Sequence, residues 1–258
     1  MPNKSATAHG ARGQDERGVD EALRRYWDED AATYDLSREH GAWSAGERAA
    51  WAGVLAHLLP PPGARVLDVG AGTGFVSLAA ARLGYAVTAL DISAGMLGKL
   101  RQAAVAEGLD IQIVCAPAHE PPTGPFDAVT ERLTLWTLPE PERALAAWRE
   151  VTSGSLVAFE GLWCGRDYVE GLRRRSREFL RRMRRHAPEH HSASPELEAA
   201  LPPANDASPS ALINMIEAAG WRSIHLLRLW DVEWARRLAL PPLDRLAGVT
   251  PEYAMTAS

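Results

Sequence analysis

The nine residues at 66–74, VLDVGAGTG, restrict this chain more than any other stretch. Three apolar residues with one carboxylate among them (Val66, Leu67, Asp68, Val69) run into Gly70, Gly72 and Gly74, and helix-period spacing follows from Phe75. The pattern predicts a buried strand, a glycine turn and a helix start. Glycine belongs in such a turn because its tight backbone angles exclude a side chain, and because a ligand can lie against bare backbone only where no Cβ intervenes. The free amides that open the helix, at the positive end of its dipole, favour a negatively charged group.

The spacing of the glycines narrows the ligand. A dinucleotide turn needs a small residue five places after its first glycine, and here that place holds Phe75, too bulky for a pyrophosphate to lie against. The glycines fall instead at alternate positions. Asp91 closes a second predicted strand, 86–90, about 20 residues further on, where a carboxylate accepts hydrogen bonds from ribose hydroxyls. The pattern therefore points to a nucleoside without a diphosphate and argues against a nicotinamide dehydrogenase.

Around this turn the chain alternates strand and helix signals. Strands are expected at 65–69, 86–90, 111–114, 126–130 and 156–159, and helices at 75–83, 94–107 and 142–151. Such alternation with short connections predicts a parallel sheet with helices on both faces and ligands at the carboxyl ends of the strands. Asp68, Asp91, Glu131 and Glu160 all fall at or near such ends. Ahead of the sheet, helices are expected from Asp20 to about Asp35 and at 46–59, the second stopped by Pro60, Pro61 and Pro62. Beyond it, a helix at 209–219, a strand at 224–229, a helical run at 232–246 and a short strand at 253–257 complete the chain.

VLDVGAGTG, TALDIS (88–93) and FDAVTERLTLWTLPEP (126–141), followed by a strand ending in Glu160, together resemble the class I S-adenosylmethionine-dependent methyltransferases. The likeness covers roughly residues 26–160 and lies nearest the branch that modifies small molecules, including natural products. It implies an α/β fold: a Rossmann-like, doubly wound sheet, mostly parallel with an antiparallel last strand, plus N-terminal helices and a small helical cap inserted after the fifth strand. The last two strands would join beside the fifth as an antiparallel pair. The cofactor would be S-adenosylmethionine, leaving as S-adenosylhomocysteine. By the same likeness Gly70, Ala71, Gly72, Thr73 and Gly74 would wrap its methionine and ribose, Asp68 would orient its amino group, and Asp91 would take the ribose hydroxyls. Ile92 and Met96 would pack on the adenine, with the backbone near Ala118 and His119 replacing an acidic residue absent at Pro117. Tyr34, within YWDEDAATYD, would touch the methionine end from an N-terminal segment lying over the cofactor; for Tyr26 and Trp27, simple helix packing is an equal reading.

For the acceptor, His40, Trp43, Arg132, Trp136 and Trp163 are candidate binding residues, and Glu160 and Glu131 candidate catalytic carboxylates. A carboxylate at the pocket mouth could align a protonated amine and accept its proton, with tryptophans as apolar walls or a cation-π surface. Alternatively, Glu160 pairs with an arginine such as Arg132 and only ties two strand ends together.

Composition bounds the partners. With 28 basic and 33 acidic residues in 258, a net charge of -5, the chain presents no overall field for nucleic acid or an anionic membrane. ERLTLW after the fourth strand also lacks the Asn/Asp-Pro-Pro-aromatic pattern used on nucleobase amines, so the expected acceptor is a small molecule. No apolar run approaches membrane-spanning length, and two cysteines, Cys115 and Cys164, fit neither a disulfide framework nor a zinc cluster, which suits a cytoplasmic protein. A single domain over 20–258 is expected after a disordered tail, 1–19, with a cap at about 165–209. Within the cap, eight arginines between 173 and 185 flank one apolar helical stripe, which reads as a solvated face or as a cationic rim for an acidic substrate or RNA. His186, His190 and His191 do not form a metal site, since Pro188 breaks their helical spacing. An RNA methyltransferase and a non-catalytic adenosylmethionine-binding protein of the same fold are the competing readings. The oligomeric state is left open.

Overall fold

The structure is a computed structural model that describes residues 4–36, 40–41, 44–161, 172–173, 175–177, 194–201 and 208–258. Trp43, Trp163, Cys164, the three histidines at 186, 190 and 191, and most of the expected cap and its arginine stripe lie outside the described residues.

Seven strands form one sheet: β1 Arg65–Val69, β2 Ala86–Asp91, β3 Ile111–Cys115, β4 Phe126–Arg132, β5 Thr152–Glu160, β6 His225–Arg228 and β7 Tyr253–Ala257, in the order β3-β2-β1-β4-β5-β7-β6. The first five are parallel, and β7 runs antiparallel between β5 and β6. The reversal of order at β1 and β4 opens a crevice at their carboxyl ends, where doubly wound sheets bind ligands.

Among the described residues the bounded helices are α1 Lys4–Asp30, α2 Ala45–Leu58, α3 Phe75–Arg82, α4 Ala94–Glu107, α5 Pro141–Val151, α6 Pro195–Ala200, α7 Pro209–Ala218, α8 Trp230–Ala239 and α9 Pro242–Ala247, with further helical residues at 172–173 and 175–177. α1 begins at Lys4, well before the expected start at Asp20 and across the stretch expected to be a disordered tail. The early part lacks the apolar periodicity that marks a packed helix, but it carries no proline, so nothing in its backbone chemistry stops a helix from extending outward. The expected single run at 232–246 is two helices, because Pro241 and Pro242 cannot continue the ladder of the first.

Strand alternation divides the core. Leu67, Val69, Val129, Leu156 and Ala158 face α5 and α7, packing on Leu145, Trp148, Leu212 and Trp221. Val66, Val87, Ala128, Val157 and Phe159 face the other way, onto Trp51, Leu55, Val76, Ala80 and Val232. Every one of these side chains is at least nine-tenths buried, and each large one contributes about 1.5–3 kcal/mol by leaving water. Trp148 and Trp221 also spend their indole N–H groups on the carbonyls of Ala118 and Leu145, at 2.7 and 3.0 Å. These layers hold the strand ends of β1, β2, β4 and β5 in register beneath the crevice.

Candidate functional site

The glycine turn divides its work among its members. Gly70, Gly72 and Gly74 have φ of +64°, +55° and +98°, angles that disfavour any Cβ. A Cβ on Gly70 would lie 2.2 Å from Thr134 Oγ1, and one on Gly74 2.8 Å from Leu100 Cγ, so these two glycines serve close packing. A Cβ on Gly72 would meet only the Gly70 carbonyl at 3.9 Å and the Tyr34 ring at 4.0 Å, so Gly72 faces open space. Ala71 N donates to Leu90 O at 3.0 Å, which seats the turn on β2.

Two buried carboxylates hold the turn. Asp91 Oδ2 accepts from Gly72 N and its Oδ1 from Ser93 N, both at 2.8 Å. Asp68 accepts from Ser77 Oγ at 2.5 Å and Thr130 Oγ1 at 3.0 Å. Burial raises each of them to about 6, partly countered by those hydrogen bonds. Asp91 is thus the organiser of the loop as well as a wall of the cleft.

That cleft, about 770 Å³, runs along the carboxyl ends of the strands. Tyr34, Gly70, Gly72, Asp91, Ile92, Met96, Ala118 and His119, all named from the sequence as cofactor candidates, line it. Its roof was only partly anticipated: Asp20, Leu23 and Trp27, one face of α1 at i, i+3 and i+7, close over it, opposite Leu138. That spacing was the available signal. His119 Nε2 lies 3.8 Å from Asp20 Oδ2, joining roof to rim.

Several polar contacts lock the N-terminal segment down. Asp28 Oδ1 accepts from Ser93 Oγ at 2.6 Å and Gly95 N at 2.8 Å, capping α4 from a distant helix. Thr73 Oγ1 donates to Asp35 Oδ1 at 2.6 Å, and Lys99 Nζ to Ala32 O at 3.3 Å. Tyr34, in the 3₁₀ turn Tyr34–Leu36, stacks on His40 with ring centroids 3.9 Å apart. Burial pushes its phenol up to about 12.

Beside the main cleft lies a second cavity of about 310 Å³, walled by Asp68 and residues of the glycine turn on one side and by Tyr34, His40 and Arg132 on the other. Arg132 lines both spaces. Its guanidinium lies 4.3 Å from the centroid of the Phe75 ring and 3.7 Å from Glu252. Glu252 is also bonded by Arg236, which reaches Glu47 on α2 at 3.2 Å. The turn that follows places non-glycine Leu133 at φ +57°, local strain of the kind found at binding sites.

The two candidate catalytic carboxylates are not in either cavity. Glu131 is 0% exposed and Glu160 3%. Glu131 stands opposite Ala158 in the β4–β5 register and Glu160 two residues further along, so both point to the α5 face of the sheet. Arg132 stands opposite Phe159, on the other face by strand alternation, and lies 3.7 Å from Glu252, while its charge also acts to lower Glu160. The carboxyls instead meet each other. Thr134 N donates to Glu131 Oε2 at 3.0 Å, and the Leu135 amide also bonds the pair, so the two hold the turn that leads into Leu135–Thr137. Burial raises Glu131 to about 8, partly countered by backbone hydrogen bonds and by Glu160, and burial together with the charge of Glu131 raises Glu160 well above the usual carboxylate range. Each Oε1 is buried without a hydrogen-bond partner, which favours the protonated form of the pair. Trp136 is likewise absent from the cavities; it packs against the α5-side core.

The comparisons agree with this architecture. Residues 67–158 match the family described as a methyltransferase domain. The chain is 38% identical to a demethylmenaquinone methyltransferase of Renibacterium salmoninarum over 52% of this chain and 56% of that one. It is 44% identical to a ubiquinone biosynthesis O-methyltransferase of Xanthomonas campestris over 31% of this chain and 35% of the other. The matches thus span about half and a third of those relatives' lengths. Among solved structures, magnesium protoporphyrin IX methyltransferase from Synechocystis PCC 6803 superposes with a TM-score of 0.57 at 15% identity, covering 91% of this chain and 97% of that one. Over residues 67–158 the chain is similar to methyltransferase domains, and its fold is the one seen in the superposed methyltransferase.

Proposed function

We propose that the protein transfers a methyl group from S-adenosylmethionine to an oxygen or nitrogen nucleophile of a small molecule, in the cytoplasm. The observation that carries the reading is the cleft itself: bare backbone at Gly72, the buried carboxylate of Asp91 and an apolar stretch at Ile92 and Met96. The residues fit such a cofactor. The open side of Gly72 takes the sugar and sulfur region, Asp91 has lone pairs left for ribose hydroxyls, Ile92, Met96, Ala118 and His119 enclose the base, and Asp68, Ala71, Thr73 and Tyr34 surround the amino-acid end. Gly70 and Gly74 contribute by permitting the turn.

When bound, the cofactor supplies a methyl carbon whose bond to the sulfonium breaks, leaving its electron pair on sulfur, as an acceptor lone pair arrives. The chain's own work is to hold acceptor and donor together and keep water out; such orientation lowers a barrier by about 7–11 kcal/mol. The α1 face Asp20, Leu23 and Trp27 excludes water from above, and the contacts of Asp28 and Asp35 hold it there. A small acceptor suits the net charge of -5 and the size of the cleft and its side cavity better than RNA does. The relatives named for quinone biosynthesis support an acceptor of that size.

Calorimetry tests the reading. Saturable heat is expected with both S-adenosylmethionine and S-adenosylhomocysteine. Binding of NAD with no heat from either would falsify it.

A further inference from the structure

Five of the ten large apolar side chains that stand exposed among the described residues lie on two consecutive helices: Trp230, Trp234 and Leu238 on α8, Leu243 and Leu246 on α9. We propose that this face is where the chain pairs with a second copy of itself, the two α8 helices lying antiparallel about a two-fold axis at Trp234.

The face is held in place from within. Trp230, Trp234 and Leu238 recur at i, i+4 and i+8 and so form one stripe of α8, 62%, 62% and 52% exposed, while Val232 and Glu233 are buried and Ala235 lies against Gly46 of α2. Glu233 accepts from two guanidinium nitrogens of Arg228 at 2.8 and 2.9 Å, and that guanidinium lies 3.7 Å from the centroid of the Trp230 ring. The ring is thereby fixed at the surface, and a side chain already fixed loses little entropy when a partner covers it. Arg245 Nε and Nη2 donate to the carbonyls of Leu240 and Leu238, each at 2.8 Å, which ties α9 to the end of α8 and adds Leu243 and Leu246, 62% and 78% exposed. Scaled from about 250 Å² for a whole tryptophan, the five side chains present roughly 600 Å² to solvent, the upper end of what a monomer leaves bare. With the exposed Asp231, Arg237, Pro241 and Pro242 beside them the face reaches roughly 800 Å², the share each partner of a stable interface covers.

The charges beside the stripe select the occupant. Asp231 and Arg237 are both exposed, have no ion-pair partner among the described residues, and stand three residues to either side of Trp234. In an antiparallel pair centred on Trp234, Asp231 of each copy meets Arg237 of the other, Trp230 meets Leu238, and Trp234 packs on its own image. That is the self-complementarity a two-fold interface requires, in which one residue meets a second and the second meets the first. A parallel pair would set Asp231 against Asp231 and Arg237 against Arg237, and like charges repel. A bilayer surface calls for a basic polar face around the apolar one, whereas one acid here balances one base in a chain of net charge -5.

Sedimentation equilibrium of the full chain across the micromolar range is expected to show monomer and dimer in exchange. Trp234→Glu places two carboxylates on the axis and should leave a monomer whose circular dichroism is that of the wild type. Asp231→Arg and Arg237→Asp each set like charges across the interface and should raise the Kd of the dimer at least tenfold. The exchange of both, Asp231→Arg/Arg237→Asp, should return it to within threefold of wild type, a recovery that depends on this register and that general stickiness of the patch cannot give. Should Trp234→Glu fail to fold, the charge variants, at exposed positions, decide alone. A wild type that stays monomeric throughout the range overturns the proposal, as does a dimer that survives in folded Trp234→Glu, or an exchange variant no tighter than the single ones. Monomer that sediments with vesicles of phosphatidylcholine and phosphatidylglycerol, and is released by Trp234→Glu, also overturns it, because the occupant of the face is then a bilayer.

Discussion

Replacing both Glu131 and Glu160 with glutamine keeps their volume and removes two buried acids. The native pair holds protons that an unfolded chain, whose glutamates titrate near 4.5, has already released at neutral pH. A carboxyl whose folded value is raised contributes stability that is fully present below the unfolded value and is lost as pH rises through the folded one, here about 8 for Glu131. Asp68 and Asp91, raised to about 6, act in the same direction but have largely finished above that pH. From roughly pH 6.5 to 8 the glutamate pair therefore dominates the carboxylate contribution. One retained proton corresponds to about 1.4 kcal/mol per pH unit, or about 2 kcal/mol across this window. Urea unfolding at fixed ionic strength should show the wild type losing that much relative to Glu131→Gln/Glu160→Gln, whose curve is flatter. The single Glu160→Gln should also flatten it, because it removes the carboxyl that burial and the charge of Glu131 raise well above its usual range, and it serves if the double variant folds poorly. Parallel stability profiles in wild type and variants would refute a buried pair that keeps its protons at neutral pH.

Three other substitutions probe the cleft. Gly72→Val should abolish S-adenosylmethionine binding while leaving the circular dichroism of a folded protein, whereas Gly70→Ala, which drives a Cβ into Thr134, should lower stability by about 1–3 kcal/mol; equal effects on binding and folding from both would contradict the division of labour in the turn. Asp91→Ala is expected to weaken cofactor binding roughly ten- to a hundredfold through lost charge-assisted hydrogen bonds, and wild-type affinity by calorimetry would reduce Asp91 to a strand terminus. Asp28→Ala removes the cap that α1 places on α4, so thermal unfolding should show a loss of about 1 kcal/mol and cofactor dissociation should quicken; an unchanged dissociation rate would show that α1 does not hold the cleft closed.

The sequence by itself determined what depends on neighbours along the chain. β1 at Arg65–Val69, α4 at Ala94–Glu107 and β7 at Tyr253–Ala257 lie where side-chain periodicity and turn residues put them. The glycine turn and Asp91 were legible because backbone angles and strand ends are local properties. Tertiary structure decided everything that needed register or a distant partner. Glu131 and Arg132 are adjacent, yet strand pleating sends one to a carboxyl partner on the α5 face and the other to the cavity beside Phe75, and only pairing with β5 revealed which met what. Asp28 reads as a surface acid on a helix until folding carries it to Ser93, 65 residues away. His40, which sequence could only nominate for acceptor binding, acquires a defined tautomer from the carbonyl that folding sets beside it. Charge, tautomer and protonation follow from burial and contact, and those are fixed where chain segments remote in sequence come together.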